Sequence, residues 1–362
     1  MNLISNIFNL KYPKLKGRID LYDFLRGLAM FLVLAQHAVA PGWKYLLVFH
    51  MPLFFFLSGL VSANKELPTF DNYIWLRFKR LMIPYFVFGF FDIIVHYCLE
   101  IAVNHHGYSV LRGIIGVLTC QIEPWGGIGV YWFLFTIFVA DLLLYPLRKC
   151  VSGYKSVCCL GGGVIVFLSL SYCSTRWFNL SLFSLDRSFM AAAFILIGIL
   201  CKPLAKSLEI EEFKWLHIVL IVICFMGVYV SKQMNPQSVL MYINQYGSFP
   251  WFLLGATSGI GATMLLGKYL FQLFKKRKGF VYELLMWIGF NSLVLFPVHL
   301  QIKVYIGSIY THLGIGQYYW MIVLPTMLII GVPVCNFITY YLPWILGNFT
   351  NIPNRIRLKS IN

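Results

Sequence analysis

The chain has 362 residues, of which 59% are hydrophobic, 18% are aromatic and only 12% carry a charge, and its formal net charge is +16. Soluble domains draw about a quarter of their residues from the charged types, so this composition excludes a soluble protein and predicts a polytopic membrane protein. The basic residues form short clusters between apolar runs, as in loops that face anionic lipid. This pattern favours the lipid bilayer as a partner and argues against nucleic acid.

Ten apolar runs in the sequence predict membrane-spanning helices, because most are close to the length that crosses a bilayer. They lie near residues 21–40, 45–63, 82–103, 130–147, 157–173, 188–201, 216–231, 249–266, 282–301 and 320–342. The run that begins near Ser188 is short, and its helix can start as early as Leu180. We therefore expect an all-α protein with one membrane domain (21–345), flanked by an N-terminal segment (1–20) and a C-terminal tail (346–362). None of these segments is long enough for an independent soluble domain.

The distribution of lysine and arginine predicts the direction in which the chain crosses the membrane. If the N-terminus is cytoplasmic, most of the 29 basic residues fall on the cytoplasmic side. The basic residues predicted on the opposite side are Lys44, Arg112, Arg176, Arg187, Lys232 and Lys303. The positive-inside rule thus predicts that both termini are cytoplasmic. The first apolar run lacks a cleavage pattern, so we expect it to remain as an uncleaved helix.

The first two apolar runs contain one arginine and two histidines. Arg26 and His37 are eleven positions apart, which on an α-helix puts them on one face with a rise of roughly 16 Å between them. We expect a tight turn at Pro41 and Gly42 to join the two helices, which would bring His50 to the depth of His37. Charged and titratable side chains inside a membrane are costly and commonly mark functional sites.

A cluster of arginines is expected at the end of the bundle that holds Arg26. Arg77 and Arg80 stand at the predicted start of the third span, and Asp23 lies three positions before Arg26. Planar, permanently charged guanidinium groups bind phosphate bidentately, so the cluster predicts a site for a phosphate-bearing ligand. The alternatives are a snorkelling side chain for Arg26 and ordinary positive-inside placement for Arg77 and Arg80.

Three motifs in the first quarter of the chain resemble those of a known family. They are Asp23-x-x-Arg26-Gly27 followed by His37, the block HMPLFFFLSG at residues 50–59, and Arg77-x-x-Arg80 before an Ile-Pro-Tyr sequence at residues 83–85. Together they resemble the membrane-bound acyltransferase-3 family, and the second block is most similar to sugar O-acetylases of the fucose 4-O-acetylase type. Weaker matches occur at residues 131–134 and 291–299.

The resemblance implies an integral O-acyltransferase of the bacterial inner membrane, with an acyl-CoA, usually acetyl-CoA, as co-substrate and no tightly bound cofactor. Its acceptor would be a hydroxyl of a surface polysaccharide or of a lipid-linked saccharide. Coenzyme A carries the phosphates that the arginine cluster, Arg26, Arg77 and Arg80, would bind. Weaker supporting positions are Asp23, Ser58, Trp132, Asn291 and Ser292.

Three histidines are candidates for the chemistry of acyl transfer: His37, His50 and His299, which lies near the same predicted level in the ninth span. An imidazole can take a proton from a sugar hydroxyl as that hydroxyl attacks a thioester. His37 can alternatively accept the acyl group itself. The sequence leaves both routes open, and a histidine that merely packs in the core is the third interpretation.

Other chemistries find little support in the sequence. Adjacent His105 and His106 lack a matching third ligand, so we expect no metal site. Ser58 precedes Gly59 in a context that suits close helix packing, and no Gly-x-Ser-x-Gly elbow exists. A secondary transporter or flippase for a sugar-lipid is the main alternative function, since Arg and His also line transport pathways. A structural subunit of a polysaccharide-assembly complex is another, and assembly proteins are conceivable partners of an enzyme as well.

Overall fold

The structure is a computed structural model that describes residues 9–10, 12, 19–63, 66–102, 109–121, 129–150, 155–178, 180–210, 214–277, 279–314 and 319–347. Within these ranges the regular secondary structure is helical and no β-strand is present, which confirms the predicted all-α class. The α-helices are α1 (Asp20–His37), α2 (Trp43–Leu46), α3 (His50–Ser62), α4 (Phe70–Arg77), α5 (Ile83–Ala102), α6 (Val110–Thr119), α7 (Trp132–Cys150), α8 (Lys155–Arg176), α9 (Leu185–Leu200), α10 (Lys202–Ile210), α11 (Trp215–Met234), α12 (Phe249–Arg277), α13 (Phe280–His312) and α14 (Tyr319–Tyr341).

Each of the ten predicted apolar runs overlaps a helix. By length and composition, seven helical segments of the described chain are able to cross a membrane, and they lie in α7, α8, α9, α11, α12, α13 and α14. Helices α8 and α11 leave most of their apolar side chains exposed, as lipid-facing helices do. The protein is therefore a multi-pass membrane protein, whereas the total of ten crossings and the cytoplasmic position of the termini stay predictions.

The connection between the first two predicted spans differs from the expected tight turn. Gly42, with φ of 80°, immediately precedes the short helix α2, and the second long helix starts only at His50 rather than near residue 45. Pro52 explains the late start, because its ring would clash with the carbonyl of residue 48 if one helix ran through both positions. In the first turn of a helix that begins at His50, the same proline is tolerated.

Residues 104–129, which connect the third and fourth predicted spans, contain an additional helix. The Ser109 side chain accepts a hydrogen bond from the backbone N–H of Arg112 (3.4 Å) and begins α6, and Cys120 in the left-handed region ends it. Val117 packs against Gly89 of α5. The histidine pair at 105–106, the glutamate at 123 and the Pro-Trp-Gly-Gly run at 124–127 lie outside the described residues.

Helices α4 and α5 are joined by a π-helical turn, Phe78–Met82, instead of a break. Pro84 accounts for the widened turn, because a regular α-helix would press its ring against the carbonyl of Arg80. The wide turn avoids that clash while the helix continues. It places Lys79 and Arg80 at the joint between the two helices.

Two pairs of helices cross at glycines with their backbones in contact. A Cβ atom at Gly27 of α1 would overlap the carbonyl of Leu285 in α13, and one at Gly289 would overlap the carbonyl of Asp23. Helices α3 and α9 cross in the same reciprocal way through Gly59 and Gly198. Small residues that let backbones approach are a main source of helix association in membranes. The glycines of both N-terminal motifs therefore have a packing role.

Candidate active site

Two histidines meet at the end of the α1–α13 pair. His37 is the last residue of α1, and its ring centroid lies 5.0 Å from that of His299 in α13, with 56° between the ring planes. Phe24 of α1 lies beside Tyr282 of α13 near the other end, so the two helices run parallel. Each histidine lies ten positions after the glycine of its own helix at the crossing, so equal lengths of helix bring the two rings to one level.

The third candidate, His50, lies beside this pair. It is the first residue of α3 and its side chain is buried. One turn later on α3, the Phe54 ring lies 6.3 Å from that of Phe296, which itself lies 5.8 Å from the His299 ring. Its Nδ1 is 2.7 Å from the carbonyl oxygen of Leu46, the last residue of α2. The short helix that replaces the expected tight turn thus provides the group that orients His50.

The hydrogen bonds of His50 and His299 define which ring nitrogens carry protons. His299 Nδ1 lies 3.2 Å from the carbonyl oxygen of Leu295, just as His50 Nδ1 contacts Leu46. A carbonyl oxygen only accepts, so in both residues Nδ1 is the donor and Nε2 keeps its lone pair in the neutral ring. His299 Nε2 is buried and has no hydrogen-bond partner among the described residues. In both rings the Nε2 lone pair is therefore available to accept a proton.

Several polar residues near the histidines were not singled out by sequence reasoning. Gln301 donates through its Nε2 to Asp92 of α5 and to the hydroxyl of Tyr131 (2.8 Å), just before α7. Lys303, one turn after His299 on α13, interacts electrostatically with His299 and with His37. The i, i+4 spacing of His299 and Lys303 was visible in the sequence, but the pairing of Asp92 with Gln301 joins distant helices.

Arg26 lies toward the opposite end of α1 from His37. Because α1 is one continuous helix, the eleven-residue spacing corresponds to roughly 16 Å along its axis. Arg26 Nη1 is 3.3 Å from Asp23 Oδ1, and a fifth of the arginine side chain remains exposed. Asp23 thus helps to orient Arg26, and the backbone carbonyl of Asp23 forms part of the crossing with α13.

The other two arginines of the predicted cluster have different surroundings. Arg77 Nε lies 3.1 Å from Oδ2 of Asp141, a side chain in α7 that is 1% exposed, and the guanidinium also stacks on Tyr73 at 5.3 Å. Arg80 is exposed in the π-helical turn. The structure therefore joins Arg77 to α7 through the carboxylate of Asp141.

The supporting residues fall into helix-packing positions. Asn291 is buried and donates to the carbonyl of Trp287 (3.1 Å), and Ser292 donates to the carbonyl of Gly289 (3.1 Å), both within α13. Trp132 is buried at the start of α7, and Ser58 is half-buried on α3. Over the described ranges, no group of three or more His, Cys, Asp or Glu side chains is arranged to hold a metal ion.

Comparison with known proteins gives one family and two curated relatives. Residues 19–347 match the acyltransferase-3 family, which is described as an acyltransferase domain. The chain is 22% identical to Nodulation protein NolL of Mesorhizobium japonicum over 288 residues, which cover 69% of this chain and 67% of that protein. It is 25% identical to Nodulation protein NolL of Sinorhizobium fredii over 166 residues, or 41% of this chain and 42% of the relative. No solved structure matches the chain.

Proposed function

Because this chain belongs to the acyltransferase-3 family and is a multi-pass membrane acyltransferase, we propose that it transfers an acyl group from cytoplasmic acyl-CoA to a saccharide hydroxyl. In the simplest case the group is acetyl, as in the fucose 4-O-acetylase type. The acceptor is a lipid-linked or surface saccharide, and the membrane is the bacterial cytoplasmic membrane. The name of both relatives concerns nodulation and specifies no substrate.

The observation that carries this proposal is the His37–His299 pair at one end of a helix that bears Arg26 toward the other. Coenzyme A is a long carrier with phosphates at one end and a thioester at the other, which suits two sites roughly 16 Å apart along α1. In this arrangement Arg26 binds donor phosphate, and the imidazoles meet the thioester and the acceptor. The same distance is too great for one small ligand to bridge.

The proposed reaction uses an imidazole Nε2 as the general base. The acceptor hydroxyl oxygen attacks the thioester carbon as its proton passes to Nε2, and the carbonyl π electrons move onto the oxygen. When the tetrahedral intermediate collapses, the C–S bond breaks and the imidazolium returns the proton to the leaving thiolate. The products are the O-acyl saccharide and free coenzyme A. In the covalent variant, a ring nitrogen of His37 attacks the thioester carbon, the C–S bond breaks and coenzyme A leaves as the thiolate. The acceptor hydroxyl then attacks the acyl-imidazolium, its proton passes through a neighbouring imidazole to the thiolate, and the C–N bond to His37 breaks.

The test is acyl transfer by purified His37→Ala, with His50→Ala and His299→Ala measured beside it. Loss of a general base lowers the rate by about a hundredfold to ten-thousandfold. We expect His37→Ala to lose transfer while keeping its melting temperature and its affinity for acyl-CoA. A His37→Ala protein that retains most of its transfer rate would refute the role of His37, and the other two variants would identify the base.

Labelled acyl-CoA added without acceptor separates the two chemical routes. Under the direct route the wild-type protein carries no label after denaturation and rapid gel filtration. Under the covalent route it carries label that His37→Ala lacks. Wild-type protein that transfers label to no saccharide, including polysaccharide extracted from its own host, would contradict the proposed function as a whole.

A further inference from the structure

Lys303 is a cation placed beside the paired histidines. It lies on α13 four positions after His299, so the two side chains share one face of the helix and are one turn apart. Its side chain is half-buried, which lowers the dielectric around its charge. Since the His299 ring lies 5.0 Å from the His37 ring, the face of α13 that carries Lys303 is adjacent to both imidazoles.

Lys303 is placed differently from the arginine of α1. Its charge interacts with both His37 and His299. Arg26 is roughly 16 Å from His37 along α1, too far for direct contact with a group bound at the imidazoles. Lys303 would therefore stabilise a negative charge that forms between the two imidazole rings.

The rotation of α13 at this level is fixed by hydrogen bonds on its other side. Gln301 lies between His299 and Lys303 in sequence, and both hydrogens of its amide nitrogen are used, one by Asp92 and one by the Tyr131 hydroxyl. Asp92 and Tyr131 are buried, and they belong to α5 and to the turn that precedes α7. Two elements thus orient the face of α13 that carries His299 and Lys303, which is the preorganisation that electrostatic catalysis requires.

We infer that Lys303 is a further catalytic residue, whose ammonium group stabilises the oxyanion of the tetrahedral intermediate in acyl transfer. The inference rests on the proposed function, because the oxyanion forms when a hydroxyl or an imidazole attacks a thioester. The carbonyl π electrons move to oxygen, the ammonium donates a hydrogen bond to that oxygen, and the oxygen returns its electrons as the C–S bond breaks. Lys303 is unchanged at the end of the cycle.

A competing structural role is the neutralisation of the carbonyls at the end of α1, which lysine also provides. The two roles differ in what they affect. Helix-end stabilisation changes the amount and the melting temperature of folded protein. Oxyanion stabilisation changes kcat, because the oxyanion exists only during the reaction.

The experiment compares Lys303→Met and Lys303→Arg with wild type, and Lys232→Met serves as a matched control in α11. Loss of one oxyanion donor typically lowers kcat by about a hundredfold to a thousandfold. We expect that loss in Lys303→Met with melting temperature and acyl-CoA affinity unchanged. Lys303→Arg keeps the charge and should recover part of kcat, and Lys232→Met should match wild type.

Each contrary result has a distinct meaning. Wild-type kcat in Lys303→Met, in a preparation whose wild type is active, overturns the inference and leaves the proposed function standing. Unchanged kcat with a raised KM for the acceptor also overturns it, and makes Lys303 an acceptor-binding residue. A fall in folded protein for both Lys303 variants assigns the structural role. Absence of transfer by the wild type overturns the proposed function, and the inference with it.

Discussion

Arginines inside or beside the membrane have different roles in this protein although their side chains are the same. Arg187 is 2% exposed, and its guanidinium donates to Asp186 and to the backbone carbonyls of Tyr242, Cys120 and Ser181. All of its contacts are internal, so it joins distant segments. Arg26 has an aspartate neighbour but keeps exposed surface, as a group that receives a ligand must. Arg77 resembles Arg187 in having an internal partner, because its charge is neutralised by the buried carboxylate of Asp141.

We therefore expect Arg77→Ala and Arg26→Ala to fail in different ways. Removal of one partner from a buried ion pair costs about 3 to 5 kcal/mol, and the nearby charge of Arg148 should keep the cost for Arg77→Ala toward the lower end. Arg26→Ala removes a partly exposed pair worth about 0 to 1 kcal/mol in stability. Thermal unfolding and acyl-CoA binding of both purified variants measure the difference.

The paired replacement Arg77→Met with Asp141→Leu is the control for this prediction. It removes both charges, so it should be more stable than Arg77→Ala alone. Arg26→Ala should unfold at the wild-type temperature and bind acyl-CoA weakly. If Arg77→Ala kept its stability and lost acyl-CoA binding, Arg77 would be a residue that binds the acyl-CoA donor, as the sequence motif predicts.

The residues that sequence reasoning found and those it missed differ in the kind of signal they give. His37 stands out because a histidine within an apolar run has no explanation in membrane topology. A functional role of Lys303 is not evident from sequence, because Lys303 lies at the end of a predicted span, where lysine is common. The role of Asp141 is invisible from sequence, since its partner Arg77 lies on a different helix and no local periodicity relates them.

Helix α1 and helix α13 are held in register by two glycines, and the register places the histidines. Any side chain at Gly27 forces the helices apart at Leu285, and any side chain at Gly289 does so at Asp23. The sequence contains the signal for this arrangement, a glycine ten positions before a histidine in both helices. This shared spacing predicts that the two histidines meet only when the two helices are known to be parallel neighbours.

Gly27→Ala and Gly289→Ala should each reduce acyl transfer at least tenfold and lower the melting temperature. The added Cβ atom forces α1 and α13 apart, and this increases the distance between His37 and His299. Overpacking of this kind costs about 1 to 3 kcal/mol. The control is Gly161→Ala in α8, where a Cβ meets nothing within 4 Å. Since alanine is the better helix former, the control should be as stable as wild type or more so. Equal melting temperatures for all three variants would contradict a close crossing.

At the level of elements, the apolar runs predicted the long helices well, and local backbone chemistry produced the differences. Pro52 moves the start of α3 to His50, and Pro84 turns a predicted helix start into a continuous helix with a π-helical turn. Helix α6 was missed because its ten residues are too few to suggest a span. Such short helices depend on caps and on a packing partner, which hydropathy does not report.

Across the whole molecule, helix directions can be compared with the predicted order of crossings. Helices α1 and α13 are parallel. Helices α3 and α9 are also parallel, because both run along α7 in its direction. Phe54 and Ser62 of α3 contact Phe133 and Arg148 in that order. Ser188 and Leu196 of α9 lie near Thr136 and Leu147 in that order. Helix α12 runs against α1, with Gly267 at Leu25 and the earlier Gly259 beside Phe49. A chain that crosses ten times requires these directions, because α1 and α13 would be its first and ninth spans. The directions of these helices therefore support the predicted order of crossings independently of the lysine and arginine distribution.

Reporter fusions test the prediction that both termini are cytoplasmic. Fusions before α1, after Lys278 and at Asn362 should report the cytoplasm, and a fusion within residues 104–107 should report the outside, as the lysine and arginine distribution predicts. Because α1 and α13 are parallel, the first two fusions must report the same side, and a split result would contradict the helix packing itself. If both reported the outside, the packing would stand, but Arg26 would face away from cytoplasmic acyl-CoA and the proposed donor site would be wrong. The reporters therefore test the arrangement of the helices separately from the direction of transfer.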